Sequence, residues 1–341
     1  MKNSMMTPAE AAARIDAGAV LVIAGSEEAL SHLPKGRWIG GTSVYFMTET
    51  GGRIDRENLF VTELDAAQEA RPVHYQGEDL PSLTMGRYDN GLSVILLPAF
   101  SKAHEEFALH GAEYPGLFDQ PVMGWVTGVH LDDLGRVTPK VFDGSRGLVF
   151  EDGAMVLHVA LRADRVADID ILNLFEQDMD GQEITFSESG FKVRMAHVDG
   201  AEVDFADWVT AQGLDTRLPL VANYAGALVN ASFQSVTPGE GVAFYAPVVA
   251  GTSYRIARSP GDYATIFAER AKGDGRQELS CNCILNFLYG EMESKSTGSF
   301  TGPATFGEIA YILLNQTMVR CSCMRRRRRQ SPEPCAIAPS G

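Results

Sequence analysis

No apolar run in the sequence is long enough to cross a bilayer, since a transmembrane helix needs about 20 consecutive apolar residues. The amino-terminal segment MKNSMMTPAEAAARI also lacks the apolar stretch of a signal peptide. All five cysteines lie at or after Cys281, which is not the spread of a secreted disulfide framework. These absences predict a reduced, cytoplasmic protein without a membrane span.

Basic residues are few, with 29 Lys and Arg against 44 Asp and Glu, and the net charge is −15. A surface of this sign repels phosphate groups, so we expect no nucleic acid partner. Five of the arginines are consecutive at 325–329. The biased composition of 324–341 predicts a disordered, Arg-rich tail.

Several catalytic signatures are also missing. There is no GxGxxG, Walker lysine, GxSxG or kinase motif set, and no two of the seven histidines lie three or four residues apart as in HExxH. An enzyme without a short signature remains open, but nothing in the sequence argues for one.

The residues that are present favour many strands. The chain is 45% hydrophobic, it has 34 Gly and 16 Pro, and long helical periodicity is scarce. This predicts an α/β (α+β) fold with two lobes of mixed, largely antiparallel sheets packed with helices. Charged residues return near 162–170, so we predict an amino-terminal lobe at 1–162 and a carboxyl-terminal lobe at 163–323.

Local patterns predict individual elements. Thr7, followed by Pro and then by Glu three residues on, predicts a capped helix. Asp204 predicts the start of another helix, which runs to about Gln212 and stops at Gly213. An Asp-Gly turn signal predicts that 147–150 and 154–161 form a hairpin. The segment 65–87 is expected to be irregular, and 191–198 alternates as one strand.

The most informative stretch is 298–319, which reads GSFTGPATFGEIAYILLNQTMV. Gly307-Glu308 places a carboxylate where the backbone can approach another group, and Asn315, Gln316 and Thr317 follow an apolar run. Polar groups on an apolar frame are typical of small-ligand pockets, so Glu308, Asn315 and Thr317 are predicted to bind an amino or hydroxyl group. The alternative is that Glu308 and Asn315 only close a hairpin by bonding backbone amides.

This stretch resembles the end of the FIST sensory domains, which carry Gly-x-x-x-x-Gly-Glu-Ile followed by Asn-Gln-Thr and a strand. The resemblance covers about residues 20–319. Further matching elements are Trp38-Ile39-Gly40-Gly41-Thr42, Val122-Met123-Gly124-Trp125, Val198-Asp199-Gly200-Ala201 and Leu279-Ser280-Cys281. The chain departs from the family's pattern where Tyr45-Phe46 replaces a Gly-Glu element and where Ile284-Leu285 replaces a Gly-Arg pair.

The resemblance implies a signal-input protein that binds a small ligand, such as an amino acid, and acts on a separate signalling partner. The ligand-binding residues it implies are Gly307, Glu308, Asn315, Thr317, Cys281, Thr42 and Trp125. Some FIST-like proteins are haem-dependent nitric-oxide sensors, which is an alternative here. His104 and His130 would then be the candidate haem ligands.

Two Cys-x-Cys pairs raise the question of a metal site. Their members are Cys281, Cys283, Cys321 and Cys323. Four thiolates can hold zinc or an iron–sulfur cluster, but this spacing is not the usual Cys-x-x-Cys. We therefore expect buried, inert thiols and no metal, and no cofactor other than the haem of the alternative.

Overall fold

The computed structural model describes residues 1–224, 226–271, 278–297 and 300–326. The predicted tail at 324–341 therefore falls mostly outside the described residues. The described helices are α1 (Pro8–Asp16), α2 (Glu27–Ser31), α3 (Lys102–His110), α4 (Phe205–Gln212), α5 (Tyr263–Arg270) and α6 (Ile284–Tyr289). In this part of the chain no helix is long and apolar enough to span a bilayer.

Strands make up most of the regular structure. Those before residue 162 are β1 (Lys2–Met6), β2 (Leu21–Gly25), β3 (Trp38–Thr42), β4 (Tyr45–Thr48), β5 (Gly51–Ile54), β6 (Leu59–Glu63), β7 (Ala67–Tyr75), β8 (Gly91–Pro98), β9 (Val122–Thr127), β10 (Val141–Asp143), β11 (Leu148–Phe150) and β12 (Ala154–Leu161). Those after it are β13 (Arg165–Asn173), β14 (Ile184–Thr185), β15 (Gly190–Val193), β16 (Met195–Val198), β17 (Ala201–Asp204), β18 (Leu220–Tyr224), β19 (Ala227–Ala231), β20 (Phe233–Thr237), β21 (Gly241–Val248), β22 (Tyr254–Ile256), β23 (Leu279–Cys283), β24 (Gly302–Thr305), β25 (Glu308–Ala310), β26 (Ile312–Leu314) and β27 (Thr317–Arg325).

The described strands form five sheets. Their orders are β1-β6-β2-β3-β10-β11, β26-β25-β9-β8-β12-β7, β13-β27-β23-β24-β4-β5, β17-β16-β14-β22-β18-β19 and β15-β21-β20. Among the described strands, the pairs β2–β3, β8–β9 and β23–β24 are parallel, and the other pairs are antiparallel. This confirms the predicted class of mixed, largely antiparallel sheets packed with helices.

The main core lies between the first three sheets. It contains Ile39 from the first sheet, Trp125 from the second and Cys281 from the third, all nearly inaccessible to solvent. The second and third sheets each combine strands from both sides of residue 162, because β25 pairs with β9 and β24 pairs with β4. The division into lobes at 1–162 and 163–323 stays a prediction.

Two local predictions are confirmed by hydrogen bonds. Thr7 and Glu10 form a reciprocal capping box at the start of α1. Asp204 caps α4, and Gly213 ends it in the left-handed conformation with φ 62°.

The predicted hairpin between 147–150 and 154–161 is wrong. β11 pairs with β10 in the first sheet, whereas β12 pairs with β7 and β8 in the second. The turn signal itself is real, since Gly153 has φ 87°. The Asp152 carboxylate accepts a hydrogen bond from the Ala103 backbone N–H at 3.0 Å, so the turn contacts α3 and leads the chain from one sheet to another.

Two further predictions are corrected. The segment 65–87 is not irregular, because Ala67–Tyr75 is an edge strand and Gly77–Gly86 is 3₁₀-helical. The predicted strand 191–198 is divided at Arg194, and its two parts, β15 and β16, belong to different sheets.

Candidate functional site

A cavity of about 330 Å³ lies where the chain leaves the carboxyl ends of β8 and β23. Both strands belong to parallel pairs, and ligands of open α/β sheets commonly bind beyond such ends. The apolar wall is built mainly from Phe100, Phe191, Phe244, Leu285, Leu288 and Phe306. The polar lining residues that could take part in binding or chemistry are His104, Tyr245, Cys283 and Asn315.

Cys283 is the last residue of β23 and lies directly before α6. Its side chain is fully buried. Burial raises the pKa of the thiol well above its usual value, and the charge of Glu308 raises it further. The backbone N–H groups of Leu285 and Gln316 act in the opposite direction, because they hydrogen-bond the sulfur. At rest the group is therefore a neutral thiol.

Glu308 lies in β25, opposite Trp125 of β9, and is fully buried. Its Oε2 accepts hydrogen bonds from the Thr317 backbone N–H at 3.1 Å and from the Thr317 hydroxyl at 2.8 Å. Burial raises the pKa of Glu308 to about 8, although the bonds from Thr317 and the Cys283 thiol lower it in part. The carboxyl group is thus mostly protonated at pH 7.

Two buried polar atoms in this region, one in Glu308 itself and one in Asn315, lack hydrogen bonds. Among the described residues, neither Oε1 of Glu308 nor Oδ1 of Asn315 has a hydrogen-bond partner. Asn315 is 1% exposed, and its Nδ2 lies 4.0 Å from the Cys283 sulfur. Buried polar groups are rarely left unsatisfied, so each such atom requires an explanation.

The predicted residues are thus brought together only in part. Glu308 and Asn315 lie next to Cys283, Thr317 holds the Glu308 carboxyl group, and Asn315 also lines the cavity. Glu308 bonds a backbone amide, as the hairpin alternative predicts, but it also bonds a side chain. Gly307 is buried directly before Glu308, and its carbonyl accepts a hydrogen bond from the Val126 N–H at 2.8 Å.

Three other predicted residues lie away from the cavity lining. The Cys281 thiol donates a hydrogen bond to the Gly124 carbonyl oxygen at 3.3 Å, within the main core. Thr42 is buried at the end of β3, where its hydroxyl accepts a hydrogen bond from the Lys140 N–H at 2.9 Å. Trp125 belongs to the same core as Cys281.

Both haem candidates accept a backbone hydrogen bond at Nδ1. His104 lines the cavity, but its Nδ1 accepts a hydrogen bond from the Phe100 N–H at 3.3 Å. The Nδ1 of His130 likewise accepts the Asp132 N–H at 3.2 Å. A neutral imidazole whose Nδ1 accepts carries its hydrogen on Nε2, whereas a ligating histidine leaves Nε2 free and donates from Nδ1.

The cysteines do not form a metal site in the described part of the chain. No group of three or more His, Cys, Asp and Glu side chains is arranged there to hold a metal ion. Cys281, Cys283 and Cys321 are buried free thiols, and Cys323 is partly buried. Burial raises the pKa of each, which disfavours the thiolate that a metal requires.

Two residues of the site carry little or no signal in the sequence alone. Cys283 stands out only as a metal candidate, because the Ser-Cys resemblance points to Cys281. The usable signal is its position at the end of a strand and directly before a helix, where side chains reach a sheet's edge. Phe100, which lines the cavity and has φ 64°, gave no signal at all.

The fold and the cavity together define a mixed α/β protein with an apolar pocket beside a buried thiol, carboxyl and amide group. The chain belongs to a family of unknown function, DUF6976, whose family model matches residues 6–324. No curated protein and no solved structure matched the chain.

Proposed function

We propose that this is a small-ligand-binding, signal-input protein whose ligand occupies the cavity beside Cys283 and Asn315. The observation that carries the proposal is a mostly apolar cavity of about 330 Å³ whose wall includes the buried, unpartnered Oδ1 of Asn315. Pockets for small molecules combine an apolar wall with a few polar groups that fix orientation, and this volume is at the small end of their range.

The charge of the lining narrows the ligand class. No Lys or Arg is among the described residues that line the cavity, and the only ionisable carboxylate there is the exposed Glu105. A free amino acid would therefore bring its carboxylate into the cavity without a cationic partner. This favours an uncharged, largely apolar ligand over the amino acid that the FIST resemblance implies.

A signal-input protein must act on a signalling partner, and the FIST resemblance implies that this partner is a separate protein. We propose that this protein and its signalling partner are both cytoplasmic, because free thiols such as Cys283 stay reduced in the cytoplasm. Haem-dependent sensing is the weaker candidate, because His104 faces the cavity in the wrong tautomer for iron. A Soret band in freshly purified protein would support that candidate.

The first test is to compare the native mass of freshly purified protein with its denatured mass. An excess of small-molecule mass identifies a retained ligand. A thermal-shift screen then compares neutral apolar compounds, such as hexanol and benzyl alcohol, with leucine and phenylalanine. We expect the neutral compounds to raise the melting temperature and the amino acids to leave it unchanged.

A matched pair of variants shows whether binding occurs at this cavity. Phe100 and Phe118 are exposed to similar extents, 63% and 58%, but only Phe100 lines the cavity. Phe100→Ala should weaken hexanol binding about tenfold, because it removes apolar surface that the ligand covers. Phe118→Ala should leave it unchanged, and equal effects of the two variants would place the ligand elsewhere.

A further inference from the structure

Among the described cysteines, Cys283 is the one that lines the cavity. Cys281 is equally buried two residues earlier on the same strand, but its thiol is used in a hydrogen bond to the Gly124 carbonyl. Burial alone therefore does not distinguish these thiols. Their surroundings distinguish the two thiols, because only Cys283 lines a cavity that a small molecule can enter.

Hydrogen-bond donors converge on the Cys283 sulfur. They are the backbone N–H groups of Leu285 and Gln316 and the Nδ2 of Asn315 at 4.0 Å. Gln316 holds its N–H there with φ 49°, a left-handed conformation that non-glycine residues rarely adopt. Fixed donors around an atom stabilise negative charge that develops on it during a reaction.

A carboxyl group that can accept a proton also lies near the sulfur. The Glu308 carboxyl group and the Cys283 thiol lie close enough to shift each other's pKa, and Oε1 of Glu308 has no hydrogen-bond partner among the described residues. Its Oε2 is held by two hydrogen bonds from Thr317, so the group is fixed in place. Nucleophile, acid–base group and orienting residue are thus adjacent, as in other activated nucleophiles.

We propose that Cys283 captures an apolar aldehyde in the cavity as a reversible hemithioacetal, with Glu308 as the proton carrier. The S–H bond breaks and its proton passes to Glu308 in its carboxylate form, which is the minor form at pH 7. The sulfur forms a bond to the aldehyde carbon, the carbonyl π bond breaks, and its oxygen takes the proton from Glu308. The step has no leaving group and needs no oxidant. The inference rests on the proposed ligand cavity and names its ligand class.

The lining explains why the electrophile would be apolar and uncharged. Phe100, Leu134 and Leu288 are each more than one-third exposed and line the cavity, so its opening has an apolar rim for a hydrocarbon tail. The described lining holds no Lys or Arg to accept an anionic electrophile such as an acyl phosphate or a keto acid.

The test uses the full chain, reduced and then freed of reductant, with hexanal carrying ¹³C at its carbonyl carbon. Formation of the adduct converts this carbon from a carbonyl to a tetrahedral carbon bonded to oxygen and sulfur. We expect a protein-dependent ¹³C signal, distinct from that of the aldehyde hydrate in buffer alone. Hexanol, which has the same tail but no electrophilic carbon, reports occupancy of the cavity by thermal shift.

Three variants assign the reaction. Cys283→Ser should abolish the signal, whereas Cys281→Ala, the matched buried thiol, should keep it. Glu308→Gln should slow adduct formation about 100-fold, the usual contribution of a positioned proton-transfer group. It should also remove the increase of the rate with pH, a readout that a purely structural role would not change. Circular dichroism checks that each variant is folded.

The possible outcomes separate this inference from the function on which it rests. If hexanol binds but hexanal gives no adduct, or if the adduct persists in Cys283→Ser, the covalent inference is wrong and the cavity proposal stands. If neither compound binds, both are wrong.

Discussion

At the scale of single residues, buried titratable groups of two kinds determine how the protein responds to pH. Glu308 is a carboxyl group whose pKa burial raises to about 8, so it prefers its proton in the folded state. His104 and His158 are histidines whose pKa values burial lowers to about 4, so both stay neutral in the folded state. Each kind shifts the free energy of unfolding with pH, and the two shifts have opposite signs.

The first prediction concerns Glu308. Its pKa is raised above the ordinary value of 4.5, so its contribution to stability is complete below pH 4.5 and is lost as pH rises through 8. Between pH 5 and pH 8 the wild type should therefore lose about 3 to 4 kcal/mol of unfolding free energy relative to Glu308→Gln. Urea unfolding of both proteins measures the difference. Parallel pH curves would show that Glu308 ionises normally in the folded protein.

The second prediction concerns His158, which hydrogen-bonds Ser93 through Nδ1 and Tyr75 through Nε2, each at 2.9 Å. Since burial lowers its pKa from 6.5 to about 4, its stabilising effect is present above pH 6.5 and disappears as pH falls through 4. From pH 7 to pH 5 the wild type should lose about 2 kcal/mol more than His158→Gln. The same urea method applies, and His104, unchanged in both proteins, cancels in the comparison.

At the scale of elements, the close parallel pairing of β8 and β9 holds the second sheet together next to the cavity. Gly124 lies opposite Ile95 in this pair. A Cβ atom at Gly124 would lie 1.7 Å from the Ile95 carbonyl oxygen, which is backbone and cannot rotate away. The sheet therefore tolerates only glycine at this position.

The third prediction follows from this contact. Gly124→Ala should lower the free energy of unfolding by about 3 kcal/mol or more, because the strands must separate to admit the methyl group. Gly190→Ala is the control, since the nearest atoms to its added Cβ are 3.7 and 3.9 Å away, and it should change stability by about 0.5 kcal/mol or less. Equal effects of the two substitutions would contradict the strand pairing.

Elements fixed by neighbouring residues could be predicted from the sequence, whereas those fixed by distant ones could not. The start of α1 depends on Thr7 and Glu10, and the end of α4 on Gly213, so local patterns identified both. The failed hairpin at 147–150 and 154–161 shows the limit, because a turn signal does not specify which sheet each strand joins.

The candidate site follows the same rule. The polar run 315–317 was recognisable because its residues are consecutive. Cys283 could not be placed beside Glu308 and the cavity, because they come from separate strands that meet only through sheet pairing. Cys281 and Cys283 both precede α6 on one buried strand, and only tertiary packing shows which sulfur lines the cavity.

At the scale of the whole molecule, the described chain is held together by strands exchanged across residue 162. β4 and β9, from the first half, are bonded to β24 and β25, from near the end of the described chain. The cavity also depends on both halves of the chain, because residues from both sides of residue 162 line it.

The fourth prediction is that the full chain unfolds in one cooperative transition. Separating the halves would expose paired strand edges and the main core in both. Far-UV circular dichroism and the fluorescence of Trp38, Trp125 and Trp208, which report on different parts of the fold, should give coincident urea curves. Two separate midpoints would instead show that the predicted lobes unfold independently.

Gln316 gives the cavity a connection to the protein surface. Its backbone N–H reaches the Cys283 sulfur, its side-chain oxygen accepts the Ser232 hydroxyl, and its Nε2 donates to the Arg217 carbonyl at 3.1 Å. The Arg217 side chain is 67% exposed and is paired with Asp215. A chain of hydrogen bonds therefore leads from the wall of the cavity through Gln316 to the exposed turn at 215–217.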